Sequence, residues 1–379
     1  MGIESIPQEL IVMVGKNLSI KDLNNFLRTC RRLSNLFTPR LHELGLQNVC
    51  SLSALQWAAK HGHEPLVKLA ISKGAKMNEI ANCEGKYTVL HLAAKSKRPN
   101  PKIIRTLVEH GAKIDAKTSD RRTPLYIATY YGNGQVVEEL LKLGAGTKQD
   151  VADGLSSLAH ISASRGYTDC LRAFVTAGID FHHRGYQRQT LLHAAIASAS
   201  GIEIAQYLLW QEKVRITVNA KDSNGSTPLH LLISHYNLKC AEKGELLRLL
   251  VQYGADVHAK DKLGDTPAHI ASNIEDINSI NELIRAGFNI SMKGAGGDTV
   301  LHRAVRSSGT GMKFLLDLEA GRSIINVQNK KGATPLHVAV EECDRVKMEL
   351  LLKYGANSDL KDGKGRTPPQ LALLQGNIV

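Results

Sequence analysis

Thr227-Pro228-Leu229-His230, an apolar run through Leu246, Leu247, Leu249, Leu250 and Val251, a stop at Gly254-Ala255, and then Thr266-Pro267-Ala268-His269 spell out one structural unit and the start of its next copy. Threonine at a helix start accepts a hydrogen bond from a first-turn amide. Proline directly after it gives up an amide that would have no intrahelical partner anyway. The phrase therefore opens a short helix. The apolar run has the spacing of one face of a second helix, and glycine past its last turn takes the left-handed conformation that closes it. The stretch from Asp256 to Asp265 is left as a hairpin-like finger.

Outward from this unit the phrase recurs as Thr88-Val89-Leu90-His91, Thr123-Pro124-Leu125-Tyr126, Ser157-Leu158-Ala159-His160, Thr190-Leu191-Leu192-His193, Thr299-Val300-Leu301-His302 and Thr334-Pro335-Leu336-His337. Successive starts are 33 to 39 residues apart. A degenerate copy opens at Ser53-Ala54-Leu55-Gln56 and a truncated one at Thr367-Pro368-Pro369-Gln370. Further helix stops stand at Gly74, Gly111, Gly144 and Gly355, each followed by alanine.

Motif and period together resemble ankyrin repeats. The resemblance covers residues 49–379 and implies an all-α fold, a solenoid of helix-turn-helix units with hairpin-like fingers, in about nine full repeats and a C-terminal half repeat. It also implies that a partner binds on inner helices and finger tips. The matching positions are Trp57, Lys60, His61, Lys95, Tyr130, Tyr131 and Arg165, with Arg121, Arg122 and Arg188 from fingers. Arg303 and Arg306 form a second candidate set. Aromatic and arginine side chains dominate interface energetics, and the basic character suggests an acidic protein substrate. Packing of Tyr130 and Tyr131 between neighbouring helices is the alternative reading.

A histidine recurring at one helical position is a structural hydrogen-bonding residue rather than a ligand or general base. Tyr126 and Gln56 replace it in two copies, which does not suit a metal array. The cysteines Cys30, Cys50, Cys83, Cys170, Cys240 and Cys343 form no CxxC pair, so a reducing compartment is expected and a metal site is not. The chain has no glycine-rich phosphate loop, HExxH or GxSxG; Gly294 to Asp298 reads as a turn, and Glu138-Glu139 and Glu341-Glu342 read as solvated helix faces. No enzymatic activity and no cofactor are expected.

Composition narrows the rest. With 43% hydrophobic residues the chain can bury a large core, yet it has no run of about eighteen apolar residues. The opening Met1-Gly2-Ile3-Glu4-Ser5-Ile6 has no basic leader, and Gly2 lacks the Ser or Thr that a myristoylation signal needs at its sixth position. A cytoplasmic or nuclear location, away from membranes, is expected. A net charge of +12 fits an acidic partner, anionic lipid or nucleic acid, or simply a lysine-rich solvated surface. Nucleic-acid binding lacks the interleaved aromatic platform it normally uses.

Residues 1–48 do not follow the repeat. Ser5-Ile6-Pro7-Gln8 and Ser19-Ile20-Lys21-Asp22 each have the form of a helix start, and Leu10, Ile11, Val14 and Leu18, then Leu23, Phe26, Leu27 and Cys30, line helical faces. The pieces Ile6-Pro7-Gln8-Glu9-Leu10-Ile11, Asp22-Leu23 and Cys30-Arg31-Arg32-Leu33 resemble an F-box, with Ile6 in place of the usual leucine and Leu33 where many members carry tryptophan. F-boxes bind the Skp linker of cullin-RING ubiquitin ligases. The resemblance implies that Ile6, Pro7, Leu10, Ile11, Val14, Leu18, Asp22, Leu23, Leu27, Cys30 and Leu33 contact that linker. The simpler alternative is that these helices cap the first repeat, and one module could do both. The implied function is the substrate receptor of an SCF-type ligase, with a Skp-type linker, a cullin and an acidic protein substrate as partners and a monomer outside that complex. The alternative is an ankyrin scaffold or inhibitor with no ubiquitin link.

Overall fold

A computed structural model of the chain describes residues 54–72, 75–81, 85–146, 158–179, 183–198, 201–235 and 240–374. The F-box-like residues Ile6, Pro7, Leu10, Ile11, Val14, Leu18, Asp22, Leu23, Leu27, Cys30 and Leu33 lie outside the described residues. Every regular element among those described is helical. The chain divides into two units, residues 1–162 with 167–180 and residues 163–166 with 181–379.

In the first unit, the described helices are α1 (Ala54–His61) and α2 (Glu64–Ser72), α3 (Val89–Ala94) and α4 (Pro101–Glu109), α5 (Pro124–Tyr130) and α6 (Gly134–Lys142), and α8 (Thr168–Thr176), with the unit boundary running through α7 (Leu158–Arg165). First helices pack on first helices, α1 on α3 and α3 on α5, while second helices pack α4 on α6 and α6 on α8. Leu90, Ile103, Ile104, Leu107 and Leu125 are wholly buried in these contacts. Each such side chain contributes about 1.5–3 kcal/mol.

The second unit repeats the scheme with α9 (Leu191–Ile196), α10 (Gly201–Trp210), α11 (Glu212–Arg215), α12 (Pro228–Ser234), α13 (Cys240–Gln252), α14 (Pro267–Asn273), α15 (Ile277–Arg285), α16 (Val300–Val305), α17 (Thr310–Asp317), α18 (Glu319–Ser323), α19 (Pro335–Glu341), α20 (Arg345–Lys353) and α21 (Pro368–Leu374). The short α11 and α18 are insertions in the basic two-helix unit.

The recurring phrase starts a helix each time it is described. Thr88, Thr123, Thr190, Thr227, Thr266, Thr299 and Thr334 sit in extended conformation at the N-cap, and Pro124, Pro228, Pro267 and Pro335 follow within the first turn. The histidine does more than help that cap. In His91, Nδ1 lies 3.2 Å from the Thr88 amide, and Nε2 lies 3.0 Å from the Arg122 carbonyl on the next finger. A carbonyl only accepts, so Nε2 carries the proton and Nδ1 accepts from the Thr88 N–H. The same pair of contacts joins His193 to Ser226, His230 to Asp265, His269 to Asp298, His302 to Ala333 and His337 to Arg366. Gln56 substitutes for the ring by donating to the Glu79 carbonyl at 3.1 Å.

Fingers of the second unit are tied tip to tip: Ser223 donates to the Gln187 carbonyl at 2.7 Å, Lys262 to Asn224 at 3.0 Å, Lys330 to Gly296 at 2.9 Å and Gly363 to Lys331 at 2.8 Å, all from the backbone N–H. Gly225 shows how close this stacking is. Its φ is +75°, and a Cβ there would lie 2.7 Å from the Lys262 amide nitrogen. Asparagines bridge units at the other end of the finger, where Asn219 donates to the Gly254 carbonyl at 2.8 Å and accepts from the Asp256 amide at 2.7 Å.

One expectation about helix faces is corrected. Glu138, Glu341 and Glu342 are exposed, but Glu139 is buried. It accepts two hydrogen bonds from Arg105 of α4, from Nε at 2.7 Å and a terminal nitrogen at 3.1 Å. A buried carboxylate needs such a partner.

Candidate partner-binding site

The first unit gathers aromatic rings and cations where α3, α5 and their finger meet. Tyr126 and Tyr130 are four residues apart on α5, hence on one face, and their rings stack at 6.2 Å. Tyr131, the residue that ends α5, meets Tyr130 edge-on at 5.5 Å. Lys95, which ends α3, places its ammonium 5.4 Å from the Tyr131 ring and 5.5 Å from the Tyr87 ring. The guanidinium of Arg122, from the finger, lies 5.2 Å from the Tyr126 ring. These are cation–π distances.

The cluster has a dry base and an open rim. Tyr126 is 3% exposed and Tyr131 is 44% exposed, with Lys95, Arg122 and Tyr130 half-buried between them. Rings held by neighbours at the base and offered to solvent at the rim give a partner rigid apolar area, and the two cations give it charge.

The structure thus brings together Lys95, Arg122, Tyr130 and Tyr131 of the expected set and adds Tyr87 and Tyr126. The replacement of histidine by Tyr126 in the repeated phrase was the visible signal for the last. Arg121 is exposed at the finger tip with φ of +60°. Trp57, Lys60 and His61 lie on α1, and Lys60 makes none of these ring contacts. In the second unit, Arg188 is exposed in a 3-10 turn, Tyr186–Arg188; Arg165 is exposed in the last turn of α7.

Arg303 and Arg306, the second candidate set, are occupied elsewhere. Arg303 holds the buried Asp265 carboxylate at 3.0 and 3.2 Å, and Arg306 pairs with the buried Asp298, which also accepts from Asn329 at 2.8 Å. Burial pushes the Asp298 carboxyl up, but hydrogen bonds from Asn329 and Arg306 outweigh it and hold it below the usual carboxylate range. These arginines brace fingers.

Among the described residues, no group of three or more His, Cys, Asp or Glu side chains could hold a metal ion. No helix among them is long and apolar enough to cross a membrane. The first unit thus joins repeated helix pairs to a ring-and-cation cluster that is partly open to solvent. Models of ankyrin repeats match residues 20–118, 81–153, 114–185, 159–243, 238–325 and 331–363, and the chain belongs to the ankyrin-repeat family. It is similar to "E3 ubiquitin-protein ligase KEG" of Arabidopsis thaliana, 24% identical over 76% of this chain and 20% of that protein. It is also similar to "Ankyrin repeat and SOCS box protein 16" of Homo sapiens, 29% identical over 56% of this chain and 46% of that protein. Inversin of Mus musculus is 30% identical over 49% of this chain and 17% of its own length. The chain therefore spans less than half the length of these relatives.

Proposed function

We propose that this chain is a non-catalytic adaptor, in which residues 1–48 engage the Skp linker of a cullin-RING ubiquitin ligase and the repeats hold the protein to be modified. The observation that carries the holding role is the cluster of Lys95, Arg122, Tyr126, Tyr130 and Tyr131, with its buried base and open, positively charged rim. An acidic segment with an apolar residue suits it. The ligase role rests on the order Ile6-Pro7-Gln8-Glu9-Leu10, Asp22-Leu23, Cys30-Arg31 in the sequence. The name of one relative, an E3 ubiquitin-protein ligase, is in keeping with it.

A second reading has its own support. The ankyrin-repeat match begins at residue 20 and so runs through Asp22-Leu23 and Cys30 to Leu33. On that reading these residues extend the repeats and the chain is a scaffold without a ubiquitin link. Affinity purification of the full chain followed by mass spectrometry separates the two. Recovery of a Skp-type linker together with a cullin supports the adaptor, and recovery of repeat-bound partners without either supports the scaffold.

A further inference from the structure

In the second unit, one position of the finger carries a cation again and again: Lys221, Lys260, Lys293 and Lys361, with Gln328 between the last two. All four lysines are exposed. Lys221 donates from Nζ to the Lys260 carbonyl at 2.6 Å, Lys260 to the Lys293 carbonyl at 2.7 Å, and Lys293 to the Gln328 carbonyl at 2.7 Å. Gln328 makes the same contact with its amide, reaching the Lys361 carbonyl at 2.7 Å. The ladder is therefore a job that a neutral side chain performs at the same distance, so the charges are surplus to the stacking of the fingers.

Among the described residues, no carboxylate pairs with those charges. The residues directly after three of the lysines are acids, but they face their own fingers. Asp222 accepts from the amides of Asn224 and Ser226, Asp261 from those of Leu263, Gly264 and Asp265, and Asp362 from those of Lys364 and Arg366. Among the described residues, none of the four lysines is in an ion pair, and Lys262 at a finger tip adds a further exposed cation. Lys221, Lys260 and Lys293 stand on successive fingers, about 8–10 Å apart if spaced as packed helices are and so within about one Debye length, where like charges repel; Lys361 follows one finger later, beyond Gln328. A ligand with the opposite sign and the same spacing relieves that repulsion.

We propose that this row of lysines is a docking ridge for an extended acidic polypeptide segment, one carboxylate per lysine-bearing finger. An extended chain advances about 3.3 Å per residue, so the matching segment carries an acid at about every third position. No aromatic side chain occupies the ladder positions, so bases of a single-stranded nucleic acid find nothing there to stack on, whereas carboxylates need only the ammonium groups. The lysines belong to the second unit and the aromatic cluster to the first, and the ridge stands on its own observations.

The test uses the full chain and a fluorescein-labelled 15-residue peptide with glutamate at every third position, its glutamine counterpart, and an oligothymidylate of 15 nucleotides. Fluorescence anisotropy should show binding of the glutamate peptide alone, weakening steeply as salt is raised. K260Q/K293Q should weaken it at least about tenfold while the melting temperature holds, because glutamine already makes the ladder contact at 328. Q328K should tighten it, and K260R/K293R should bind as wild type does. Peptide affinity unchanged in K260Q/K293Q, or equal for the glutamine peptide, would overturn the proposal. So would oligothymidylate binding as tightly as the peptide and losing affinity in the same variant, which would assign the ridge to nucleic acid.

Discussion

His302 donates from Nε2 to the carbonyl of Ala333 at 3.0 Å while its other nitrogen accepts from the Thr299 amide at 3.1 Å, in a pocket that leaves the ring no exposure to solvent. The ring must be neutral to do both. Burial lowers its pKa to about 4 from the ordinary 6.5, and burial likewise lowers those of His91, His193, His230 and His269. In the unfolded chain these rings titrate near 6.5, so between there and the folded value the unfolded state binds more protons. Stability is thus fully present above pH 6.5 and falls as the pH drops toward 4, by on the order of 3 kcal/mol for His302. Urea midpoints at pH 7.5 and 4.5 should show this fall, and His302→Gln, which keeps the donor as Gln56 does, should reduce it.

Leu229 of α12 is wholly buried. Leu229→Ala should cost about 2–5 kcal/mol through lost burial and the cavity left behind. Because each repeat packs on its neighbours, hydrogen exchange should rise first in α12, α13 and α14. Equal loss of protection along the whole chain would mean a single cooperative globule.

For the linker, apolar anchors near the centre of a small interface carry most of the affinity. Leu10→Asp with Leu23→Asp should cost at least about 2 kcal/mol of Skp binding, close to a thirtyfold loss, measured by calorimetry with purified Skp linker. Unchanged affinity would remove the F-box reading and leave the scaffold.

At the aromatic cluster, Tyr130→Ala removes the ring stacked on Tyr126, and Arg122→Glu reverses the charge beside it. Together they should strip acidic partners from the full chain in quantitative pull-downs while leaving Skp binding as it was. Raising salt should weaken the wild-type complexes too. Partners indifferent to both changes bind elsewhere.

Much of the fold was legible in one phrase, because Thr-Pro-Leu-His encodes a cap, a first turn and an inter-repeat donor within four residues, and repetition removes the ambiguity of a single match. The candidate site was less so. Arg105 and Glu139 are 34 residues apart, and only the packing of α4 on α6 shows that a glutamate from an apparent surface pair is buried. Arg303 and Arg306 looked available for the same reason: their partners Asp265 and Asp298 belong to fingers, and a finger's direction is not written in local periodicity. The alignment of Lys221, Lys260, Lys293 and Lys361 was readable in register, but that glutamine can stand in for them shows only in the bond from Gln328 to the Lys361 carbonyl.

The bond from each histidine to the following finger has identical ends, from His193 with Ser226 to His337 with Arg366. Such a joint is interchangeable. A duplicated copy of one unit, inserted in frame between two others, would find a carbonyl waiting for its own imidazole and would offer a carbonyl to the imidazole before it. Length can thus change by whole units through gene duplication without redesigning this joint, and an inserted extra copy of residues 227–265 should fold and melt with the parent chain.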